Sequence, residues 1–235
     1  NARVIAIPEY PKIAFATPTF SADGSQIYFT QSYIVPPAGQ HDEIDRVDVN
    51  GGNVIKVLDD ARDPNISSDG KKLAFFRFDY TTYLGGLWIA DIDGKNARQI
   101  VENDSFIAIS NPRWSPDQQS VLFAASGAPR KKLPGAISAT TREKLAPCYL
   151  DLFATCLITR AFAHGLPWDL WLVSADGKKF EKVTDVGADS PQPAWSRDGK
   201  QIAFFDSTGI YVADREKKLV FEIIKGGGYG GFDWR

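Results

Sequence analysis

Apolar and polar positions alternate along most of this chain in short runs, each closed by a polar turn signal. The pairs Ile27 and Phe29, Leu73 and Phe75, Val121 and Phe123, and Ile202 and Phe204 each place apolar side chains two residues apart. That is the period of a strand with one buried face. The same phrase precedes every pair: PTFSADGSQIYF (18–29), PNISSDGKKLAF (64–75), PRWSPDQQSVLF (112–123) and PAWSRDGKQIAF (193–204). Two residues after the Pro stands a large apolar anchor (Phe20, Ile66, Trp114, Trp195), then Ser, and two positions later Asp. Ser-x-Asp-Gly between apolar runs is turn chemistry, because Asp bonds its own backbone two residues on and Gly takes positive φ at least cost. The third copy has Gln118 where the others have Gly24, Gly70 and Gly199, which predicts strain or a changed turn there.

Each copy has a second half. LWIADIDGKNARQI (87–100) and LWLVSADGKKFEKV (170–183) are its clearest forms; IDRVDVNGGNVIKV (44–57) and IYVADREKKLVFEI (210–223) are weaker ones. Asp-Gly or Asn-Gly between two apolar runs signals a hairpin. Each unit therefore holds four short strands in a meander. The anchors at 20, 66, 114, 195 and 234 are separated by 46, 48, 81 and 39 residues. Four-stranded units about 40 to 50 residues long are the mark of propeller blades. The predicted class is all-β: a β-propeller of four-stranded antiparallel blades, about four of them complete.

The residues Pro-x-Trp-Ser-x-Asp-Gly, with a later apolar-x-x-Asp-x-Asp-Gly, resemble the TolB-like β-propeller repeat over about residues 15 to 235. The resemblance implies a closed ring, commonly six-bladed, with an extracytoplasmic location (periplasmic or cell surface) and protein partners. Set against such a ring, RVIAI (3–7) reads as an orphan outer strand and GGFDWR (230–235) as the opening inner strand of a further unit. Residues 1–235 are thus expected to be a single propeller domain, a piece of a longer one; the absence of Met agrees with that expectation.

Composition narrows function more than fold. A hydrophobic fraction of 43% with 24% charged residues describes a globular chain, and a net charge of −2 gives no argument for nucleic acid. No run of 18 apolar residues predicts a membrane span. Two cysteines, Cys148 and Cys156, set no disulfide framework.

Calling the strands of a blade A to D from the channel outward, the A–B and C–D turns are short and uniform and share one face. The B–C links, read as 31–43, 77–86, 125–168 and 206–208, are far from uniform. Binding groups sit on variable loops over a rigid scaffold, so the B–C and D–A face is the expected functional face. Arg62, Asp63, Asn111, Asp189 and Gln192 precede the inner strands and are expected to rim the channel mouth as a ligand or peptide site.

The long third link, 127–167, is expected to be an insertion in the third blade. It carries a basic stretch (Arg130, Lys131, Lys132) and an apolar segment with Tyr149 and Phe153 that reads as a helix over about 148–160. These five residues are the expected contact with a protein partner. On such a helix Cys148 and Cys156 stand about 12 Å apart, so two free thiols are expected.

Three motifs are set aside. GGGYGG (226–231) has Gly228 where a nucleophile elbow needs Ser. DIDGKN (91–96) opens like a calcium loop, but Lys95 stands at a ligand position and the segment lies in a hairpin. His41 and His164 would serve a metal or acid–base site only if the fold brought them together beside carboxylates such as Asp42, Glu43 or Asp169. No cofactor and no metal is assigned. The function read from the sequence is a non-catalytic TolB-like propeller that binds a protein or small ligand through its loop-rich face. The alternative is the propeller domain of an enzyme (lyase, hydrolase or peptidase) whose catalytic residues lie outside this chain.

Overall fold

A computed structural model describes residues 4–6, 12–36, 39–127, 129, 167–226 and 234. The strands form four antiparallel sheets, each a meander of four consecutive strands. Blade 1 holds β1 (Lys12–Phe20), β2 (Gln26–Val35), β3 (Gly39–Asp48) and β4 (Ile55–Asp59). Blade 2 holds β5 (Arg62–Ile66), β6 (Lys72–Asp79), β7 (Leu84–Asp91) and β8 (Arg98–Val101). Blade 3 holds β9 (Ala108–Trp114), β10 (Ser120–Ser126), β11 (Trp168–Ser174) and β12 (Phe180–Lys182). Blade 4 holds β13 (Gln192–Trp195), β14 (Gln201–Phe205), β15 (Gly209–Asp214) and β16 (Leu219–Lys225).

The repeated phrase builds the A–B turns. In all four the Ser hydroxyl donates to the Asp two residues on, at 2.6 Å for Ser21–Asp23, Ser67–Asp69 and Ser115–Asp117 and 2.7 Å for Ser196–Asp198. The same Ser Oγ accepts the backbone N–H five residues later, so one side chain closes the turn from both sides. Gly24, Gly70 and Gly199 take φ of 70°, 72° and 70°, and Gln118 takes 61°. Of the two outcomes expected at Gln118, the turn is kept and the strain accepted.

The core lies between blades, in three clusters. Ile44, Leu58, Leu73 and Phe75 join blades 1 and 2; Phe76, Leu87, Trp114, Phe123 and Trp171 join blades 2 and 3; Leu122, Leu170, Trp195 and Phe204 join blades 3 and 4. The anchors of blades 2 to 4 pack toward the preceding blade: Ile66, Trp114 and Trp195 belong to these three clusters in turn. Phe20 of the first blade is 53% exposed, because among the described residues no blade precedes it.

The inner strands β1, β5, β9 and β13 pack in succession. Three of them are bulged at the residue before the repeated Pro. Thr17, Asp63 and Asn111 there take φ of 49°, 54° and 55°, and Ser190 does so at 50° just before β13. All four precede a proline, a position whose sterics disfavour helical φ/ψ. Such a conformation costs about 1–3 kcal/mol per residue and persists only where surroundings over-determine it. The surroundings are visible: Asp63 N–H donates to Thr30 Oγ1 at 2.9 Å across the blade 1–2 seam, and Asn111 Nδ2 donates to the Pro191 carbonyl at 3.2 Å across the next but one.

Two expectations change. Links 31–43 and 77–86 are mostly strand, since β2 pairs with β3 without interruption from Gln26↔Asp48 to Val35↔Gly39, and β6 with β7 from Lys72↔Asp91 to Asp79↔Leu84. Their polar residues read as loop, but hairpin pairing satisfies their backbones. No helix occurs among the described residues, and the helix expected over 148–160, with both cysteines, lies outside them. Residues 4–6 carry no strand, and 227–233 lie outside the described residues.

Candidate functional site

The extended hairpin of blade 1 lifts its polar residues onto regular strands, and alternation sends them to two faces. Asp42 points toward blade 2 and is 4% exposed. Its carboxylate accepts from Ser32 Oγ at 2.6 Å, Gln40 Nε2 at 3.2 Å and Tyr80 Oη at 2.5 Å, with Arg62 Nη1 at 3.7 Å. Tyr80 comes from the B–C turn of blade 2 and Arg62 from the start of β5, so three chain segments meet on one buried charge. Burial, and then the bond to Asp42, push the Tyr80 hydroxyl well above the usual phenol range. Tyr80 also borders a cleft of ≈ 390 Å³ between blades 1 and 2, whose walls include Asp60, Arg77, Trp88 and Asn103. The Arg77 guanidinium lies over the Trp88 ring at 4.7 Å, and the Arg77 Nε and Trp88 Nε1 are buried without hydrogen-bond partners. Gly86 keeps the wall close: a Cβ there would come within 2.3 Å of Asn103 Oδ1 and Gln99 Nε2.

The other face of the hairpin carries Gln31, Tyr33, His41 and Glu43. Glu43 is 6% exposed and accepts from Gln31 Nε2 at 2.5 Å and Tyr33 Oη at 3.2 Å. Burial, followed by the Glu43 carboxylate, pushes Tyr33 up to about 12. His41 Nδ1 lies 3.0 Å from Asp60 Oδ1, and Lys56 Nζ lies 2.8 Å from Asp59 and 3.7 Å from Glu43.

Of the five residues expected at the channel mouth, the structure brings Arg62 and Asp63 together, with Nε and Oδ1 4.0 Å apart. Asn111, Asp189 and Gln192 form a separate group around Pro191: Asn111 donates to its carbonyl, Asp189 N–H reaches Asp206 Oδ2 at 3.3 Å, and Gln192 pairs with Phe205. Arg130, Lys131, Lys132, Tyr149 and Phe153 lie outside the described residues, as does His164. Tyr80, Arg77 and Trp88 escaped the sequence reading, which named Asp42 only as a carboxylate beside a histidine site. One signal was present: polar and charged residues breaking the apolar alternation of what are otherwise long strands. DIDGKN forms a turn, with Gly94 N–H donating to the Asp91 carbonyl at 2.8 Å and Lys95 Nζ on Asp93 at 2.8 Å.

No family model matches the chain. Over 202 residues it is 26% identical to the uncharacterized peptidase YuxL of Bacillus subtilis (strain 168), a match covering 82% of this chain and 29% of that protein. The chain thus spans less than a third of that relative's length. TolB from Acinetobacter baumannii superposes with a TM-score of 0.60 at 14% identity, covering 90% of this chain and 44% of that one. The acylaminoacyl peptidase of Pyrococcus horikoshii superposes with a TM-score of 0.55 at 16% identity, covering 90% of this chain and 32% of that one. The YuxL match overturns the reading of a non-catalytic scaffold, because that relative is a peptidase, and it leaves the enzyme-associated alternative in its place. At these identities the solved structures bear on architecture alone, and with the four meandering blades they establish it: the chain has the fold of a TolB-like β-propeller.

Proposed function

We propose that this propeller is the substrate-admitting part of a peptidase. In this reading peptide-bond cleavage is done by residues outside the propeller. The observation that carries it is the match of 82% of the chain to a peptidase of which it spans only 29%. Its chemistry fits that division of labour. Among the described residues the side chains of the seam are hydrogen-bonding and charged groups rather than a nucleophile paired with a base.

The blade 1–2 cleft is the part of the propeller fitted to touch a peptide. Arg77 is held by stacking on Trp88 and Phe75, and its guanidinium has no carboxylate partner among the described residues. A guanidinium over an indole presents charge and an aromatic face together, which suits a peptide carboxylate or carbonyl. Tyr80, which lines the same cleft, is tied to Asp42 and gives it a fixed wall.

The test uses the protein as encoded in its genome. It is incubated with a fluorophosphonate probe and with acyl-peptide nitroanilides, and Arg77→Ala is compared with the parent. The reading expects probe labelling, peptide hydrolysis, and a raised KM at little changed kcat for Arg77→Ala. Absence of both labelling and hydrolysis in a folded protein refutes it. Hydrolysis with an unchanged KM in Arg77→Ala removes the cleft from substrate contact.

A further inference from the structure

We infer that blade 1 holds a binding site for a first-row divalent cation, with His41, Glu43 and Asp59 as its ligands. The ligand atoms of these three side chains lie within 4.8 Å of one another. They come from β3 and the end of β4, which pair as Glu43↔Asp59, so the sheet register itself sets two of them side by side.

Two of the three ligands are already oriented from behind. His41 Nδ1 lies 3.0 Å from Asp60 Oδ1. In a neutral imidazole that contact makes Nδ1 the N–H donor and leaves the Nε2 lone pair facing Asp59 Oδ1, 3.8 Å away. A carboxylate behind the far nitrogen is the usual support of a metal-bound histidine. Asp60 reaches that place with φ at 50°, a strained conformation for a non-glycine residue. Glu43 is held by Gln31 Nε2 on one oxygen and Tyr33 Oη on the other. Gln31 is fully buried, and its Oε1 has no hydrogen-bond partner. An imidazole lone pair and two carboxylates thus converge within 4.8 Å, a donor set that a bound cation satisfies together.

Lys56 is the resident cation. Its ammonium makes a 2.8 Å bond to Asp59 but stays 3.7 Å from Glu43, so it balances the charge without closing the site. Lys56 is 52% exposed and anchored at one end, which lets it swing aside. One imidazole nitrogen with two carboxylate oxygens is a donor set for Zn²⁺ or Mn²⁺ rather than for the all-oxygen preference of Ca²⁺. The inference is independent of the peptidase reading.

The test is titration calorimetry of the intact chain with MnCl₂ and, separately, ZnCl₂, with circular dichroism to check folding. One equivalent of at least one ion is expected to bind and to raise the melting temperature. Both effects are expected to vanish in His41→Gln. Asp60→Asn, which removes only the support, is expected to weaken binding by about 10- to 100-fold. Lys56→Gln is expected to tighten it, and this variant keeps the test decisive should His41→Gln fold poorly. No saturable binding of either ion, binding unchanged in His41→Gln, or affinity unimproved in Lys56→Gln overturns the assignment.

Discussion

The Tyr80 hydroxyl donates to the buried Asp42 carboxylate at 2.5 Å, joining the B–C turn of blade 2 to the third strand of blade 1. Two residues 38 positions apart thereby share one bond across the seam that borders the candidate cleft. Tyr80→Phe leaves Asp42 with one donor fewer in a site 4% exposed. The expected loss is about 1–3 kcal/mol, the range for a hydrogen bond to a charged group at a buried site. Urea denaturation of the two proteins measures it. A double-mutant cycle with Asp42→Asn should show coupling, since the two groups are in direct contact.

Alkaline pH should weaken the same region. Tyr33, raised to about 12, and Tyr80, raised further, both hold their protons more tightly when folded than the roughly 10 of an unfolded tyrosine. An acid with a raised folded pKa contributes stability that is whole below its unfolded pKa and lost as pH rises through the folded one. Stability should therefore fall from about pH 10 upward. In Tyr33→Phe/Tyr80→Phe that fall should be shallower, as read from melting temperatures across the range.

The acid limb belongs to the repeated turns. The Ser21 hydroxyl and the backbone of Ser25 hold Asp23 down to about 2. Asp69 and Asp117 are lowered first by Ser67 and Ser115, and Asp198 by the Lys200 backbone N–H and then Ser196. Carboxylates lowered in the folded state contribute stability that is present above the unfolded value of about 3.9 and lost as pH falls through the folded one. For Asp23 the window runs down to about 2. Carboxyl-carbon NMR titration should find Asp23 low in the parent and moved up toward the ordinary value in Ser21→Ala.

Two turn positions should respond in opposite directions. Gln118 holds φ at 61° in the turn where the other copies use Gly. Gln118→Gly should stabilise by about 0.5–1 kcal/mol through relief of left-handed strain, reduced by the loss of its contact with Ser68. Gly94 has φ at 82°, and a Cβ there would stand 2.5 Å from the Val57 carbonyl of blade 1. Gly94→Ala meets backbone that cannot swing aside and should destabilise by about 1–3 kcal/mol. Thermal unfolding of the two variants settles both signs.

The repeated turn was legible because its bonds are local. Ser67 Oγ, Asp69 and the N–H of Lys72 all lie within six residues, so the phrase Ser-x-Asp-Gly carries its own structure wherever it stands. The alternation Leu73, Phe75 and Ile202, Phe204 likewise announced buried faces, and the structure buries all four. The candidate site was not legible in this way. His41, Asp42 and Glu43 carry the polarity of a loop, and only pairing with β2 makes them a strand.

The blades follow from residue order, since a four-strand meander closed by short turns depends on contacts between near neighbours in the chain. What the charges do depends on packing between distant segments. Asp42 is buried because Tyr80 and Arg62 arrive from another blade, and Glu43 faces His41 and Asp59 because β3 and β4 pair in one register. The left-handed residues before proline at Thr17, Asp63 and Asn111 run against local preference and are held by bulged inner strands packed side by side. A side chain's environment is set by whatever segment packs over it, and for Asp42 that segment lies a blade away, beyond the reach of any local pattern.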